Sequence, residues 1–206
     1  MSERIEKMKR VLEQRLESVT IVAEATHLRH NLSAIIRTAE AFGIADVHLI
    51  SGDQKKVSGA AKGAEKWVDM SIYKNTKQCL DKLKDEGYTI WVADLQDDVK
   101  TPETLPIEGK VAVVMGTELS GVSDVAKEMA DGAVIIPMYG LTQSLNVSVA
   151  SACLLQRLTT RKRAFIGQAG DMKEERKQAL LRKWIERDEK EKLRRQKRIL
   201  QAEKTS

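Results

Sequence analysis

VAVVMGTELSGVSDVAKEMADGAVIIP, residues 111–137, contains a strand, a turn, a helix and a second strand in that order. Residues 111–115 are apolar and largely β-branched, which is typical of a buried strand, and residues 133–137 have a similar composition. Between them, residues 123–130 have the spacing of a short helix. A helix that connects two buried strands predicts a parallel sheet, because the chain must cross over before it forms the next parallel strand.

The same alternation of strands and helices extends towards the amino terminus. Four further apolar segments predict strands at residues 19–24, 47–50, 68–73 and 89–94. Helices are predicted at residues 3–17, at residues 75–86, from residue 146 onwards, and between Asn31 as N-cap and Gly43 as C-cap. The sequence therefore predicts an α/β fold, a mostly parallel sheet flanked by helices on both faces.

Length and composition fit one central domain with a helical extension at each end. The chain has 206 residues, 42% of them hydrophobic, which suffices for one sizeable core. We assign residues 1–18 to an N-terminal helix, residues 19–165 to the central domain and residues 166–206 to a basic helical extension. The chain has no run of about eighteen apolar residues and six of its first ten residues are charged, so we expect a soluble, cytoplasmic protein.

The net charge of +5 hides an asymmetry along the chain. Residues 157–206 contain 17 Lys and Arg against 8 Asp and Glu, whereas the rest of the chain contains 18 against 22. A strongly basic segment on a mildly acidic body favours contact with a polyanion such as a nucleic acid. A helix that is merely solvated is an equal alternative, because most charge runs have that role.

Three loops that follow predicted strands carry the residues most suited to binding a ligand. In parallel sheets, ligands bind beyond the carboxyl ends of the strands. The loops are GTELSG at residues 116–121, PMYGLTQSLN at residues 137–146, and the segment that starts at Leu95 and Gln96. Glycine lets the backbone approach a ligand closely, and Ser144 and Asn146 lie where a helix starts. Each loop taken alone also fits an ordinary turn followed by a helix cap.

Familiar cofactor and metal signatures are missing from the sequence. There is no GxGxxG after the first strand, and GTELSG lacks the Gly-Lys-Ser/Thr ending of a phosphate-binding loop, so neither NAD nor ATP is favoured. Cys79 and Cys153 form no CxxC pattern and no cluster with histidine. We therefore predict neither a metal site nor a disulfide.

Arg37 is the candidate reactive residue of the helix that follows the first strand. Ser33 and His30 lie four and seven residues before it, so the three side chains share one face of the helix. The apolar residues of this helix are Leu32, Ile35, Ile36, Ala39 and Phe42. A lone arginine on a polar helix face is more often a surface charge than a catalytic group.

Three segments together resemble the ordered motifs of one enzyme family. HNLSAIIRTAEAFGI (residues 30–44), GTELSGVS (residues 116–123) and IPMYGLTQSLNVSVASA (residues 136–152) are similar to the motifs of the SpoU branch of the SPOUT methyltransferases. They most resemble members that methylate the ribose 2′-oxygen of a guanosine in tRNA, and SGAAKGAEKW (residues 58–67) also resembles those members. The resemblance covers about residues 19–158.

The resemblance implies a fold feature and a cofactor that the pattern of strands and helices does not show. Members of this family have a parallel sheet whose C-terminal part is threaded into a deep trefoil knot. They act as homodimers and bind S-adenosylmethionine in the knot, and no metal is implied. The pocket residues implied here are Ala93, Leu95, Gly116, Thr117, Glu118, Gly121, Ile136, Met138, Ser144, Leu145 and Asn146.

The resemblance also implies an activity, with residues 19–165 as the catalytic domain. This activity is S-adenosylmethionine-dependent 2′-O-methylation of tRNA, most like that of the D-loop guanosine at tRNA position 18. Arg37 is the implied activating residue, and because arginine stays protonated we interpret it as stabilising the developing alkoxide and gripping phosphate. The other implied catalytic residues are Asn31, Glu118, Ser144 and Asn146. RNA contact is expected from both terminal helices and from Lys62 and Lys66.

The match to the family departs from its pattern at two places. Leu28 and Arg29 stand between His27 and His30, where the tRNA-guanosine members usually have Lys-Pro. The C-terminal extension aligns with no motif. Both differences bear on which RNA is chosen.

Three alternative functions follow from these departures. Methylation of ribosomal RNA is one, although only about 18 residues precede the first strand here, whereas ribosomal members often carry an N-terminal RNA-binding domain. Methylation of another tRNA position, such as the anticodon wobble position, is the second. The third is a catalytically silent RNA-binding protein of the same fold. A dinucleotide-dependent oxidoreductase is disfavoured, because its fingerprint is missing.

Overall fold

The computed structural model of the chain describes residues 3–24, 29–50, 63–95, 99–117 and 120–205. Within these ranges the chain forms six strands and six α-helices. The strands are β1 (Val19–Glu24), β2 (Asp46–Ile50), β3 (Asp69–Tyr73), β4 (Tyr88–Ala93), β5 (Lys110–Met115) and β6 (Gly132–Val134). The helices are α1 (Glu3–Glu13), α2 (Arg29–Ala41), α3 (Thr76–Asp85), α4 (Asp124–Met129), α5 (Val147–Ile166) and α6 (Glu174–Thr205), with a short 3₁₀ helix at Ala64–Lys66.

The strands form one parallel sheet in the order β3-β2-β1-β5-β4-β6. In its centre, Ile21 of β1 aligns with Val47 of β2 on one side and with Val113 of β5 on the other. The predicted parallel α/β fold is confirmed. The strand predicted at residues 133–137 is shorter than expected, since β6 ends at Val134.

Helices cover both faces of the sheet, which explains why the strands are nearly continuous apolar runs. Alternate residues of each strand point to opposite faces. On one face, Ile21 packs in a core with Ile35 of α2 and Leu154 of α5. On the other face, Val22 packs in a second core with Leu80 of α3. The two faces are thus closed by α2 and α5, and by α3 and α4.

The connection between β4 and β5 is held between β6 and α5. Lys100 extends the sheet beyond β6, because its N–H donates to the carbonyl of Ala133 at 2.9 Å and its carbonyl accepts from Ile135 N at 2.9 Å. From α5, Arg161 Nη1 donates to the carbonyls of Pro102 at 2.7 Å and Leu105 at 2.8 Å. These contacts fix residues 99–109 against both later elements. The threading of a trefoil knot stays a prediction.

Lys162 also holds this connection, from within the core. Its side chain is 3% exposed, and its ammonium donates to the carbonyls of Ile107 at 2.7 Å, Glu108 at 3.3 Å and Gly109 at 2.8 Å. Burial lowers the pKa of Lys162, an effect that the nearby Asp171 opposes. Three carbonyl partners satisfy the three N–H donors of the ammonium, which makes burial of the charge tolerable.

The two terminal helices pack on each other and on the sheet edge. Met8 and Leu12 of α1 form a small core with Leu180 and Trp184 of α6. The first half of α6 is therefore part of the body, so the alternative of a merely solvated helix does not hold for that half. Leu180, Leu181, Trp184 and Ile185 have the spacing of one helix face, a signal that the high charge of the surrounding sequence hides. The division of the chain at residues 18 and 165 stays a prediction.

Arg176 fastens the start of α6 to the sheet. Its guanidinium donates to both carboxylate oxygens of Asp46, at 2.6 and 2.8 Å, and to Glu17 at 2.8 Å. Bidentate contacts of this kind are stronger than single-contact ion pairs.

Among the described helices, none is both long and apolar enough to cross a membrane.

We predict that Lys162→Met lowers the free energy of unfolding by about 3 kcal/mol, because three carbonyls lose their buried donor. Denaturant unfolding measures this loss. The control is Lys190→Met, which removes an exposed lysine of α6 and is expected to change stability by less than about 0.5 kcal/mol. Equal stability of the two variants would contradict the stabilising role that we assign to the contacts of Lys162.

Candidate functional site

The predicted ligand loops meet at the carboxyl edge of the sheet. β5, β4 and β6 are neighbours in the sheet, so the segments that follow them lie side by side. These segments are residues 116–121 after β5, residues 94–95 after β4 and residues 135–146 after β6. Their convergence is what the parallel strand order predicts.

The turn after β5 depends on two glycines. Thr117 N donates to the carbonyl of Gly121 at 2.9 Å, and Gly121 N donates back to Thr117 at 3.1 Å, which closes the turn. A Cβ atom at Gly116 would overlap the carbonyl group of Gly121, and Gly121 itself has a φ of +67°. Both positions therefore need glycine. At Gly116 a side chain would not fit beside the backbone of this turn.

Glu24 holds the residue Ser123, which follows this turn. It lies at the end of β1, is 4% exposed, and accepts hydrogen bonds from Ser123 N at 2.8 Å and Ser123 Oγ at 2.6 Å. Thr76 at the start of α3 donates to the same carboxylate. Sequence reasoning missed this residue, although a carboxylate that ends an otherwise apolar strand is a signal that could have found it. Glu24 thus ties the starts of α3 and α4 to the end of β1.

Asn146 joins the third motif to the first. Its Oδ1 accepts from Ser148 N at 2.9 Å, which caps α5, as the sequence predicts for this position. Its Nδ2 donates to Oδ1 of Asn31 at 3.2 Å. Asn31 is 2% exposed and lies inside α2, so the prediction that it caps this helix is wrong. Its side chain instead reaches across to the start of α5.

Arg37 lies on the exposed face of α2, as predicted. Ile35 and Ile36 on the same helix are fully buried, whereas Arg37 and His30 are exposed and Ser33 is partly exposed. Arg37 is six residues beyond Asn31, or about 9 Å along the helix axis. It has no hydrogen bond or ion pair with any residue in the described ranges. An unpaired guanidinium at this place is available to an anionic ligand.

The remaining pocket residues differ in exposure. Ala93 and Ile136 pack against the core beneath the site. Leu95, Met138, Ser144 and Leu145 are exposed. Ser144 has no hydrogen bond to another described residue, so its hydroxyl is free to bind. The arrangement offers apolar walls, backbone groups and short polar side chains at one place.

Several predicted residues lie outside the described ranges. These are Glu118, Gln96, His27 and Lys62. Lys66 is described, and its ammonium pairs with Glu191 of α6 at 2.5 Å. The prediction that Lys66 contacts RNA must therefore compete with an internal ion pair.

Neither cysteine fits the site as a nucleophile. Burial, together with the nearby Glu24, raises the pKa of the Cys79 thiol to about 12, so this thiol stays protonated at neutral pH. Cys153 is exposed on α5.

Comparison with known proteins agrees with this geometry. The sequence model of the SpoU rRNA Methylase family matches residues 18–156. The chain is 39% identical over 159 residues to the tRNA (guanosine(18)-2′-O)-methyltransferase of Borreliella burgdorferi, a match that covers 76% of this chain and 73% of that protein.

Two solved structures resemble the chain at different levels. The Aquifex aeolicus TrmH/SpoU tRNA modifying enzyme has a TM-score of 0.81 and 33% identity, over 90% of this chain and 96% of that one. The SpoU methyltransferase AviRb from Streptomyces viridochromogenes, solved with the cofactor AdoMet, shares the fold, with a TM-score of 0.63 and 19% identity over 74% and 62% of the two chains. With its motifs joined at one sheet edge and its family model matched over most of its length, this chain belongs to the SpoU methylase family.

Proposed function

We propose that this protein transfers a methyl group from S-adenosylmethionine to a ribose 2′-hydroxyl of tRNA, at the D-loop guanosine 18. The observation that carries the proposal is the Asn31–Asn146 hydrogen bond, which links the helix bearing Arg37 to the loop beside the glycine turn. The similarity to a tRNA guanosine-18 methyltransferase over 73% of its length supports tRNA as the substrate.

The carboxyl edge of the sheet fits S-adenosylmethionine. The turn at Gly116 and Gly121 has backbone where a side chain would overlap, so it can approach an adenosine closely. Ala93, Ile136 and Met138 would provide apolar contact, while Thr117, Ser144 and Asn146 would provide hydrogen bonds. The remaining residues that we assign to the cofactor are Leu95, Glu118 and Leu145. The bound cofactor supplies an electrophilic methyl group on a sulfonium.

The protein's own contribution is to position the ribose and to stabilise the charge that develops on its oxygen. We assign Arg37 to this second task, because a guanidinium stays protonated and can donate to an alkoxide and to a phosphate. Asn31 and Asn146 hold α2 and α5 in fixed relation, and Ser144 lies two residues before this contact. Glu118 completes the catalytic set that we propose.

A homodimer is part of the proposal. Tyr139 is 96% exposed and Leu141 fully so, and Val149 on the first turn of α5 is also exposed. Apolar side chains clustered in this way commonly mark an interface with another chain. A second subunit that covers residues 139–149 would also enclose the cofactor loop. We place the protein in the cytoplasm, where its tRNA substrate is found.

Contact between tRNA and α6 is the last part of the proposal. Most cations of residues 157–187 bind carbonyls or carboxylates of the protein itself, as Arg161, Lys162 and Arg176 do. Four exposed cations of α6 have no hydrogen bond or ion pair to a described residue. They are Arg182, Lys190, Arg194 and Lys197. These residues are the best candidates for phosphate contact.

We predict that the protein transfers labelled methyl from S-adenosylmethionine to tRNA and that the product contains 2′-O-methylguanosine. The matched control is the same tRNA with a single 2′-deoxyguanosine at position 18, the position named for the relative. It lacks the accepting hydroxyl and should take up no label. Equal labelling of both tRNAs would contradict the proposed position.

We predict that Arg37→Ala lowers kcat about 100-fold or more with saturating tRNA, because one donor to the developing charge is lost. The Kd of S-adenosylmethionine, measured by calorimetry, should change less than about twofold, within the roughly 0.5 kcal/mol expected of a surface change. Lys84→Ala is the control, because it removes an exposed lysine of α3 on the opposite face of the sheet. Near-normal turnover of Arg37→Ala would refute its assignment.

We predict that glutamine at all four free cations of α6 weakens tRNA binding and lowers the slope of log Kd against log salt by up to about four. Filter binding at several salt concentrations measures both. The control variant carries Lys74→Gln and Lys84→Gln, two exposed lysines near or on α3. If both variants bind tRNA with the parental affinity and slope, α6 is not an RNA contact.

A further inference from the structure

A polar cavity of about 320 Å³ lies at the amino-terminal edge of the sheet. Its walls include Asp46 and His48 of β2, the first residues of β4 and β5, the C-terminal end of α3 and the start of α6. Because all strands are parallel, this edge is opposite to the one where the cofactor loops meet. The cavity is therefore separate from the methyl-transfer site, and its volume is that of a small ligand pocket.

Each carboxylate of the cavity wall already has a cationic partner within the protein. Glu17 and Asp46 both accept from Arg176, at 2.6 to 2.8 Å. Glu86 accepts from Lys82, its neighbour one turn earlier. These three acids and two bases sum to a net charge of −1, although each carboxylate has a cationic partner.

Two lysines of the wall have no carboxylate partner within the described residues. Lys110 donates to the backbone carbonyl of Glu86 at 3.1 Å and lies 5.0 Å from the ring centre of Tyr88. The ammonium of Lys173 has no hydrogen bond or ion pair with the described parts of the chain. The cavity thus has an excess of positive charge, which favours an anion.

A buried histidine supplies an independent sign of a ligand. His48 is 4% exposed, and its Nδ1 lies 3.1 Å from the hydroxyl of Tyr73. Its Nε2 is buried and has no hydrogen-bond partner among the described residues. Burial lowers the pKa of His48, so the ring is neutral at pH 7 and carries one hydrogen. When Tyr73 donates to Nδ1, that hydrogen is on Nε2, where it needs an acceptor.

We propose that this cavity binds a small oxyanion of the phosphate class, with Lys110 and Lys173 at its mouth and His48 on its wall. A buried N–H without an acceptor costs about 1–3 kcal/mol, and an oxyanion would remove that cost while it neutralises the lysines. The phosphate can belong to RNA or to a free phosphorylated molecule. The inference does not depend on methyl transfer.

The test follows the imidazole signal of His48 by NMR as inorganic phosphate is added to the full-length protein at constant ionic strength, with chloride as the reference salt. The chain has three histidines, so His48→Gln identifies the signal. We expect a saturable shift with phosphate and none with chloride. Phosphate affinity should fall at least about tenfold in a Lys110→Gln, Lys173→Gln double variant, which loses two charge-assisted contacts.

The matched control is Lys74→Gln with Lys84→Gln, which removes two exposed lysines near or on α3 that do not line the cavity. It should leave the phosphate response unchanged. No saturable shift, or the same affinity in the double variant and the parent, would overturn the proposal.

Addition of tRNA then separates the two sources of phosphate. Displacement of bound phosphate by tRNA assigns the cavity to an RNA phosphate, and an unchanged phosphate signal assigns it to a free phosphorylated molecule. Because no step of this test measures methyl transfer, its failure and failure of the proposed enzymatic function are distinguishable.

Discussion

The site depends on the two hydrogen bonds made by the side-chain amide of Asn146. Its oxygen caps α5 and its nitrogen donates to the buried Asn31, so one side chain fixes the start of α5 against α2. α5 in turn holds the connection between β4 and β5 through the buried ammonium of Lys162. Asn31 is buried, so loss of its contact with Asn146 would remove a donor from a side chain that is shielded from water, which makes the arrangement sensitive to small displacements. The loop after β6 and the helix that bears Arg37 are held in relation to one another by this series of contacts.

The sequence predicted the features that depend on local patterns. Apolar runs separated by helices led to the parallel sheet, and Ser123 and Asn146 were expected at helix starts because caps act within three residues. The prediction for Asn31 was wrong because the same rule applied to a residue whose partner is 115 positions away. Likewise Lys162 and Arg176 were counted as free positive charge, although one binds carbonyls and the other binds Asp46 and Glu17. Charge alone does not reveal which partner a side chain has after folding.

The two edges of the sheet have different roles. The carboxyl edge presents glycines and short polar side chains, which suits a ligand that is held partly by backbone. The amino edge carries the ion pairs of Arg176 that dock α6, and beside them a cavity whose acids are all paired. α6 therefore has two roles. Its first half packs with α1, and its later residues present free cations to solvent.

A crystal structure of the protein with S-adenosylhomocysteine would test the central claim most directly. The account predicts that the adenosine lies between the turn of Gly116 and Gly121 and the loop before Asn146, with the sulfur facing the side of α2 that carries Arg37. Density for the ligand at another place, or an Asn31–Asn146 contact that is broken when the ligand is bound, would contradict it.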